Sequence, residues 1–455
     1  MRVSLPCSIL PVLVLLNHKL NTGENAMAAI AENLAIMGGK KAVPDGTVKK
    51  WPPIDDTDVK SVLDSLRGAN HAAGPNCKAF GDEFGAWNGN KHAIFTNSGT
   101  AALHMSLVAC GVGAGDHVLV TAYSWSSSAT CIIHHNAIPV FVDIDFDTMA
   151  IDPAKIEAAI TPRTKAIIVV HLHGLSADMD AILEIARRHN LKVIEDACQA
   201  HAALYDGKKV GTLGDCAAFS FNQNKCLCTG EGGMFVTDVE EYRQKAAMLW
   251  SFGETRTPDQ SRDYHAYALG WMYRGNDMTA AFGRSQLAKL DGYFAIQREN
   301  AAVLNRRLRG LPGLILPTEP EKCTHNWYNY ACRIDMKKIG WTGEPTRMRD
   351  AVMKALQAEG VPASIWQRYI LPRMTVFQAK NAYGNGSPWA ENDALDVDYN
   401  PARFPVAQLH SETHFGMTMP LRAPNRTDVA ELIADGIRKV FENLEKIDPD
   451  QVLKT

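Results

Sequence analysis

A lysine stands at the end of a strongly apolar stretch, in the segment FSFNQNK at residues 219–225. A lysine amine that apolar side chains shield from water gives up its proton more readily, and a neutral amine can attack a carbonyl to form an imine. The segment TGEGG, at residues 229–233, follows and allows the backbone to approach a ligand closely. Lys225 is therefore a candidate for imine chemistry; the simpler alternative is that it caps a strand where the chain leaves the core.

An acidic pair lies near the end of a second apolar stretch, LKVIEDACQAH at residues 191–201. A carboxylate in such a place is costly to bury unless a cation or hydrogen-bond donors face it. A protonated heteroaromatic nitrogen would hold Asp196 ionised, and Gln199 is placed to donate a hydrogen bond to a nearby oxygen. The alternative is that Asp196 is an ordinary helix cap or turn residue.

A third segment, TNSGTAAL at residues 96–103, has the residue types of a phosphate site. A glycine turn that opens a helix presents free backbone N–H groups and the positive end of the helix dipole. Ser98 and Thr100 flank Gly99 and add hydroxyl donors, and Ser220 is a further donor. Serine and threonine are also common helix caps, so this segment alone leaves both interpretations open.

Trp125 follows another apolar pattern and precedes small residues, in TAYSWSSSAT at residues 121–130. Its flat indole can stack on a planar cofactor ring, or else it belongs to the core. Together the four segments offer an amine, an acid for a pyridinium nitrogen, a phosphate cradle and a stacking ring. This combination indicates pyridoxal 5'-phosphate, whose binding requires a lysine and an acidic partner for the ring nitrogen.

These residues must be positioned by strands, and residues 87–237 alternate short apolar strand patterns with helical ones. Such alternation is typical of a mostly parallel sheet with helices on both faces, where ligands bind at the carboxyl ends of the strands. A long helical pattern at residues 278–310 then leads to a second, smaller α+β domain. The stretch at residues 380–405, rich in glycine, proline and asparagine, is predicted to be a surface loop near the site.

We predict three parts in the chain: an N-terminal arm at residues 1–33, a large cofactor-binding domain at residues 34–304 and a small domain at residues 305–455. The arm contains an apolar run at residues 3–16 that is too short to span a bilayer. We expect the arm to be disordered or to precede a true start at Met27.

The composition is that of an ordinary globular protein, with 455 residues, 46% hydrophobic and 21% charged, and a net charge of −3. This balance gives no reason to expect a nucleic-acid or membrane partner. Ten cysteines without regular spacing indicate reduced cytoplasmic thiols rather than a disulfide scaffold. His171 and His173 have no cysteine or acidic partner at metal-ligand spacing, so we expect no metal site.

The motifs resemble those of the DegT/DnrJ/EryC1/StrS family of sugar and aminocyclitol aminotransferases. The resemblance extends from about Leu34 to the C-terminal helix, and the motifs occur in family order: NSGTAALH, GAGDHVLVTAYSW, IPVFVDID, VIEDACQAH, GTLGDCAAFSFNQNK and TGEGG. It implies the aspartate-aminotransferase-like fold type I of pyridoxal phosphate enzymes, an α/β fold with a large, mostly parallel sheet domain and a smaller C-terminal α+β domain. It also implies a homodimer that shares its active site across the interface.

Carried onto this sequence, the resemblance implies a role for each motif residue. Lys225 is expected to form the Schiff base with the cofactor, Asp196 to bind the pyridine nitrogen, and Gln199 to lie near the 3-oxygen. Trp125 is expected to stack on the ring. The residues expected around the phosphate are Ser98, Gly99, Thr100, Ser220 and Asn222.

Two segments depart from the family pattern. Residues 269–282, LGWMYRGNDMTAAF, keep Arg274 but have Met272 where the family has an asparagine that reaches the neighbouring subunit's phosphate. Asn276 is a candidate substitute for that asparagine. Tyr328 stands where histidine is common in the family, so Arg274 and Tyr328 are candidate substrate residues only.

We therefore predict an aminotransferase that moves an amino group from glutamine or glutamate to a keto sugar or keto-cyclitol. Two alternatives stay open: a pyridoxal phosphate-binding regulator or accessory subunit without turnover, which the two departures favour, and a dehydratase of deoxysugar synthesis. Family dehydratases carry histidine in place of the lysine, so Lys225 argues against the second alternative.

Overall fold

The structure is a computed structural model that describes residues 33–255 and 264–454. The strands in these ranges are β1 His92–Thr96, β2 His117–Thr121, β3 Ile138–Val142, β4 Thr164–Val170, β5 Lys192–Asp196, β6 Leu204–Tyr205, β7 Lys208–Lys209, β8 Cys216–Ser220, β9 Gly233–Thr237, β10 Leu314–Ile315, β11 Cys323–Thr324, β12 Tyr330–Ile334 and β13 His414–Met417. The helices are α1 Asp56–Arg67, α2 Pro75–Asn88, α3 Gly99–Ala109, α4 Ser127–Ile133, α5 Pro153–Ala159, α6 Met179–His189, α7 Glu240–Trp250, α8 Asp277–Leu287, α9 Leu290–Leu308, α10 Pro345–Ala358, α11 Thr375–Gln378, α12 Pro405–Thr413, α13 Thr427–Phe441 and α14 Pro449–Val452.

Seven strands form one large sheet in the order β1-β9-β8-β5-β4-β2-β3. The pairs β3–β2, β2–β4, β4–β5 and β5–β8 are parallel, whereas β9 runs antiparallel to both of its neighbours, β8 and β1. Six of the seven strands therefore point the same way, which confirms the predicted mostly parallel sheet. Their carboxyl ends meet at one edge, where ligands bind in sheets of this kind.

The central strands of this sheet are buried because apolar residues fill them and helices cover both faces. Leu119 on β2 and Ile167 on β4, for example, are fully buried. The covering helices begin and end at the residue types that favour such ends. Asp178 caps the start of α6 by accepting a hydrogen bond from the N–H of Ala181, and Asn190 ends α6 in the left-handed conformation.

A second core surrounds the three-stranded sheet β10-β12-β13 and includes apolar residues of α9, α10 and α13. It also contains Leu34 and Val43, which precede the large sheet in the chain. In the other direction, Ile370 and Leu371 pack in the core of the large sheet. The domain boundary at residue 305 stays a prediction, and segments from both sides of it contribute to the opposite core.

Residues 380–404 are largely irregular and mostly exposed or half-buried, so the prediction of a surface loop at residues 380–405 holds for most of the stretch but not for three aromatic residues. Trp389, Tyr399 and Phe404 are buried and belong to the core of the large sheet. The Tyr399 hydroxyl donates a hydrogen bond to the carbonyl of Pro139 at 2.7 Å, and its ring lies edge-on to Phe141 at 5.3 Å. The stretch covers the edge strand β3, because its aromatic side chains shield apolar surface that a solvated loop would leave exposed.

The long helical pattern at residues 278–310 is corrected to two helices, α8 and α9, which meet at Ala288 and Lys289. The ammonium of Lys289 lies 2.7 Å from the carboxylate of Asp58 on α1. Residues 1–32 of the predicted arm lie outside the described residues. Within the ranges that the structure covers, no helix is long and apolar enough to cross a membrane.

Candidate active site

The predicted site residues lie where strands of the large sheet end. Ser98 follows β1, Trp125 follows β2, Asp196 is the last residue of β5, and Ser220 is the last residue of β8, five positions before Lys225. β5 and β8 are neighbours in the sheet, and Asp196 pairs with Ala218. The acid and the lysine segment therefore leave the sheet side by side.

Asp196 is buried, with only 4% of the residue exposed. Its Oδ2 accepts a hydrogen bond from the hydroxyl of Ser128 at 2.7 Å, and its Oδ1 accepts one from the N–H of Cys198 at 3.2 Å. A carboxylate offers about four acceptor sites. Asp196 thus keeps acceptor capacity for a further donor, and it makes no ion pair with any residue in the described ranges.

Lys225 lies in the turn after β8, where its N–H donates to the carbonyl of Asn222 at 2.8 Å. The indole N–H of Trp51 donates to the carbonyl of Lys225 at 2.9 Å. The Nζ atom lies 4.9 Å from the centroid of the Tyr328 ring. Among the described residues no carboxylate pairs with this half-buried amine, so it rests against an aromatic ring with no anion to hold its charge.

Cys198 lies within electrostatic reach of both groups. Burial raises the pKa of its thiol well above the ordinary value, and the carboxylate of Asp196 raises it further, whereas the amine of Lys225 opposes these two effects. Cys198 is half-buried, and its backbone N–H donates to Asp196, so the residue lies between the acid and the lysine segment.

The start of α3 provides free backbone donors. The hydroxyl of Ser98 accepts a hydrogen bond from the N–H of Ala101 at 3.1 Å, and its carbonyl accepts one from the N–H of Ala102 at 3.2 Å. The N–H groups of Gly99 and Thr100 have no acceptor among the described residues. They lie at the positive end of an eleven-residue helix, which suits a phosphate. Ser98 is therefore a helix cap, and the start of the helix that it caps keeps two N–H groups without an acceptor among the described residues.

Gly99 lets this helix start lie directly against β8. A Cβ atom at Gly99 would lie 2.8 Å from the Cβ of Ser220 and 2.9 Å from the Sγ of Cys198, closer than such atoms approach. The lack of a side chain therefore brings the free N–H groups beside Ser220. The structure thus brings Ser98, Gly99 and Thr100 beside Ser220, and their contact with a phosphate stays a prediction.

Trp125 is 54% exposed, so the alternative that it belongs to the core is wrong. Its ring centroid lies 6.4 Å from that of Trp366, with the two planes tilted by 54°. Trp125 comes two residues before α4, the helix that carries Ser128. An indole with an accessible face thus stands beside the strand end that holds Asp196.

The side chain of Gln199 has one free end. Its Oε1 accepts a hydrogen bond from the N–H of His173 at 2.9 Å, while its Nε2 has no acceptor among the described residues. The residue is buried. Its amide nitrogen is therefore available to donate a hydrogen bond to a ligand oxygen, and its place near the 3-oxygen of the cofactor stays a prediction.

Asn222 is engaged within the lysine turn. Its Nδ2 donates to Glu231 at 2.9 Å, and its Oδ1 accepts a hydrogen bond from the N–H of Asn224 at 3.1 Å. These contacts shape the turn that presents Lys225. A direct contact between Asn222 and a phosphate stays a prediction.

The two candidate substrate residues lie at different places, Tyr328 beside the lysine and Arg274 beside the end of β1. Tyr328 is buried beside Lys225, whereas Arg274 pairs with Thr96 of β1 through its backbone. The guanidinium carbon of Arg274 lies 5.1 Å from the ring centroid of Phe252. Asn276, the candidate substitute for the missing asparagine, caps α8 by accepting a hydrogen bond from the N–H of Thr279 at 2.9 Å. None of the described contacts of Arg274 is with Lys225 or Asp196.

Three residues that contact the site were not predicted from the sequence. Ser128 is the third serine of SSS and bonds to Asp196, but nothing in the run distinguishes it from its neighbours. Trp51 bonds to the carbonyl of Lys225 from 174 residues away. Arg422 is buried below the same turn and donates to the carbonyl of Asn224 at 2.8 Å.

The described residues fit pyridoxal phosphate. An unpaired amine, a buried carboxylate with free acceptor sites and a helix start with two free N–H groups match its aldehyde, ring nitrogen and phosphate. In the same ranges, no group of three or more histidine, cysteine or acidic residues is arranged to hold a metal ion.

Comparison with known proteins supports the same chemistry. Residues 52–397 match the model of the DegT/DnrJ/EryC1/StrS aminotransferase family. The chain is similar to GDP-perosamine synthase of Caulobacter vibrioides, with 43% identity over 62% of this chain and 73% of the relative. It is also similar to the L-glutamine:2-deoxy-scyllo-inosose aminotransferase of Streptomyces lividus, with 37% identity over 72% of this chain and 80% of the relative.

A solved structure supports the fold. The crystal structure of 3-amino-5-hydroxybenzoic acid synthase superimposes with a TM-score of 0.75 and 31% sequence identity. The superposition covers 87% of this chain and 99% of that one. The predicted fold class, with its large mostly parallel sheet, is thereby confirmed.

Proposed function

Because the chain belongs to the DegT/DnrJ/EryC1/StrS aminotransferase family and is a pyridoxal phosphate-dependent aminotransferase, we propose that it transfers an amino group from glutamine or glutamate to a keto sugar or keto-cyclitol. The names of two relatives support both the proposed donor and the proposed acceptor. One names glutamine and an inosose, and the other names a GDP-linked amino sugar. The acceptor class therefore includes polyhydroxylated ketones.

One observation of the site carries the proposal: an amine without a carboxylate partner and a buried acid with free acceptor sites lie at adjoining strand ends. When bound, pyridoxal phosphate supplies an aldehyde that takes up the amino group and a ring that accepts electrons. In our proposal the carboxylate of Asp196 holds a proton on the ring nitrogen. The Nζ atom of Lys225 would hold the cofactor covalently, and as a free amine it would take up the proton that leaves the α-carbon of the donor.

The other residues bind and orient. The N–H groups of Gly99 and Thr100, with the hydroxyl of Ser220, hold the phosphate, and the indole of Trp125 lies on one face of the ring. Gln199 directs its amide nitrogen to a ring oxygen. Each of these positions is a proposal that rests on the free donors and the accessible indole face described above.

The lysine is tested by Lys225→Ala and Lys225→Arg. We expect both variants to lose turnover by about 10⁴-fold or more, because each removes the bond to the cofactor and the proton transfer. Rates with glutamine and a keto acceptor, together with cofactor content, measure this loss. Near wild-type turnover with the cofactor still bound would contradict the proposal.

The donor and acceptor are tested separately. Glutamine or glutamate added alone is expected to shift the visible absorbance of the holoenzyme to the amine form of the cofactor, whereas a regulator without turnover would keep its spectrum. A panel of nucleotide-linked keto sugars and free keto-cyclitols, each assayed with glutamine, then identifies the acceptor. Failure of every keto sugar and keto-cyclitol on the panel would contradict the proposed acceptor class.

We also propose that a second copy of the chain completes the site. Leu269 is 73% exposed and Met272 is 51% exposed, in the segment that precedes Arg274. Apolar side chains in a segment beside the site favour an interface between subunits. Sedimentation velocity of the holoenzyme tests this proposal, and a monomer at micromolar concentration would contradict it.

A further inference from the structure

Arg422 is a fully buried cation, and the part of the chain that the structure describes gives it no anionic partner. The residue has no exposed surface, and its Nε and Nη1 atoms have no hydrogen-bond acceptor among the described residues. Arginine is rarely fully buried unless it is paired, since an uncompensated buried charge is costly. None of the described carboxylates lies within ion-pair distance of this arginine.

Two aromatic rings hold the guanidinium. Its central carbon lies 5.3 Å from the ring of Trp51 and 5.4 Å from the ring of Tyr328. These distances lie within the range of cation–π attraction, which is stronger where water is excluded. We use the name "arginine clamp" for the cluster of Trp51, Tyr328 and Arg422.

The clamp contacts the peptide groups on both sides of Lys225. The Nη2 atom of Arg422 donates to the carbonyl of Asn224 at 2.8 Å, and the indole N–H of Trp51 donates to the carbonyl of Lys225 at 2.9 Å. The ring of Tyr328 lies 4.9 Å from the Nζ atom. The backbone before the lysine, the backbone after it and its amine thus each contact one member of the clamp.

From this geometry we propose that Arg422 is a positioning residue for Lys225. By fixing the peptide groups that flank the lysine, the clamp sets where the amine meets the cofactor aldehyde. The step it assists forms a C=N bond between Nζ and the aldehyde carbon, while the aldehyde oxygen leaves as water. The inference rests on the proposed function of Lys225 as the residue that bonds the cofactor.

The test compares two forms of the cofactor in Arg422→Met. Pyridoxal phosphate bonds to the lysine, whereas pyridoxamine phosphate has no aldehyde and uses only the other contacts of the site. Attachment is measured by adding pyridoxal phosphate to the cofactor-free protein, reducing with borohydride at set times and quantifying the Lys225 peptide by mass spectrometry. We expect attachment to slow by about tenfold, while the affinity for pyridoxamine phosphate changes by less than about twofold.

Arg349→Met is the matched control. Arg349 is 3% exposed and donates to the carbonyl of Ser411 at 2.6 Å, but its described contacts lie outside the lysine turn. We expect this variant to lower the unfolding temperature as Arg422→Met does and to leave the attachment rate unchanged. Equal slowing in the two variants would show a purely structural effect and would overturn the proposal.

Two further variants keep the test decisive. If Arg422→Met does not fold, Trp51→Phe keeps a ring beside the guanidinium and removes only the N–H that bonds to Lys225, so we expect slowing in the same direction by a smaller factor. A wild-type rate in both clamp variants would overturn the inference. Lys225→Ala tests the proposed function separately. If borohydride fixed the cofactor to another residue of this variant at the wild-type rate, Lys225 would not be the residue that bonds the cofactor.

Discussion

Glu195 and Asp196 are neighbours on β5 and both are buried, but their side chains point to opposite faces of the sheet and have different surroundings. Four donors surround Glu195: the backbone N–H groups of Gly211, Leu213 and Gly214 at 2.6, 2.8 and 2.6 Å, and the Nε2 of His171 at 2.9 Å. Two donors contact Asp196. The first carboxylate has no acceptor capacity left, and the second has.

This difference in hydrogen bonding indicates that Glu195 stabilises the fold and that Asp196 is available to bind a ligand. Burial alone opposes the ionisation of Glu195, but the hydrogen bonds from His171 and from the loop at residues 211–214 more than compensate and lower the pKa of its carboxyl. The glutamate therefore ties β5 to that loop. The described residues satisfy Asp196 only in part, and the proposed ring nitrogen of the cofactor would complete its hydrogen bonding.

Asp196→Asn is expected to have the largest effect of the variants that compare the two acids. The amide oxygen can still accept from the N–H of Cys198, and the amide nitrogen can donate to the hydroxyl of Ser128, which can also act as an acceptor, so we expect the folded structure to survive. Loss of the buried charge pair with the cofactor costs about 3–5 kcal/mol, which lowers kcat/KM by about a thousandfold. Steady-state rates measure the effect on activity, and thermal unfolding measures the effect on stability. A variant with a lower unfolding temperature and an unchanged kcat/KM would reverse the roles assigned to the two acids.

The matching change, Glu195→Gln, should affect stability instead. A glutamine nitrogen cannot accept from the backbone N–H groups that face it, so one buried donor or more loses its partner. We expect the free energy of unfolding to fall by about 1–3 kcal/mol. Urea titration measures this loss, and the activity of the folded fraction should stay within about twofold of wild type. A selective loss of activity at unchanged stability would contradict the structural role.

Lowering the pH should reduce the difference in the free energy of unfolding between wild type and Glu195→Gln. The pKa of Glu195 is lower in the folded state than in the unfolded state, so its stabilisation is present above the unfolded value and is lost as pH falls through the folded one. Unfolding free energies of both proteins at neutral pH and in mild acid measure this. A difference that grows as pH falls would show that the sign assigned to this pKa shift is wrong.

The smallest expected effect belongs to Ser128→Ala. The variant removes one of the two donors to Asp196, a hydrogen bond to a charged group, so we expect kcat/KM to fall by about tenfold. Ser124→Ala is the control, because the hydroxyl of Ser124 contacts that of Ser128 at 2.8 Å and not the acid. Equal losses in the two variants would indicate a local packing effect rather than a donor to Asp196.

Much of this arrangement could be predicted from the sequence because it depends on local patterns. Asp196, Ser98 and Lys225 stand where apolar strand patterns stop, and a parallel sheet brings such ends to one edge. The number of donors to each acid could not be predicted. The loop that saturates Glu195 begins sixteen residues downstream of it, and its backbone N–H groups carry no mark in the sequence.

The contacts of the lysine turn and the cover of β3 depend on tertiary packing. Neither Trp51 nor Arg422 has a periodic pattern that connects it to Lys225. The stretch at residues 380–405 has the glycine, proline and asparagine content of a loop, but its three buried aromatic residues determine where it packs. Composition describes local flexibility, whereas burial of large aromatic surfaces determines the position of such a segment.

The span of the contacts around Lys225 has a consequence for synthesis. Asn224 and Arg422 are separated by 198 positions in the chain. Chain leaving the ribosome can pair the strands that carry Asp196 and Ser220 long before this arginine is made, since domains fold as units during synthesis. The lysine turn therefore lacks this contact until the ribosome has added Arg422, 198 positions after Asn224, so a nascent chain that already has the sheet still lacks the full setting for covalent attachment of the cofactor.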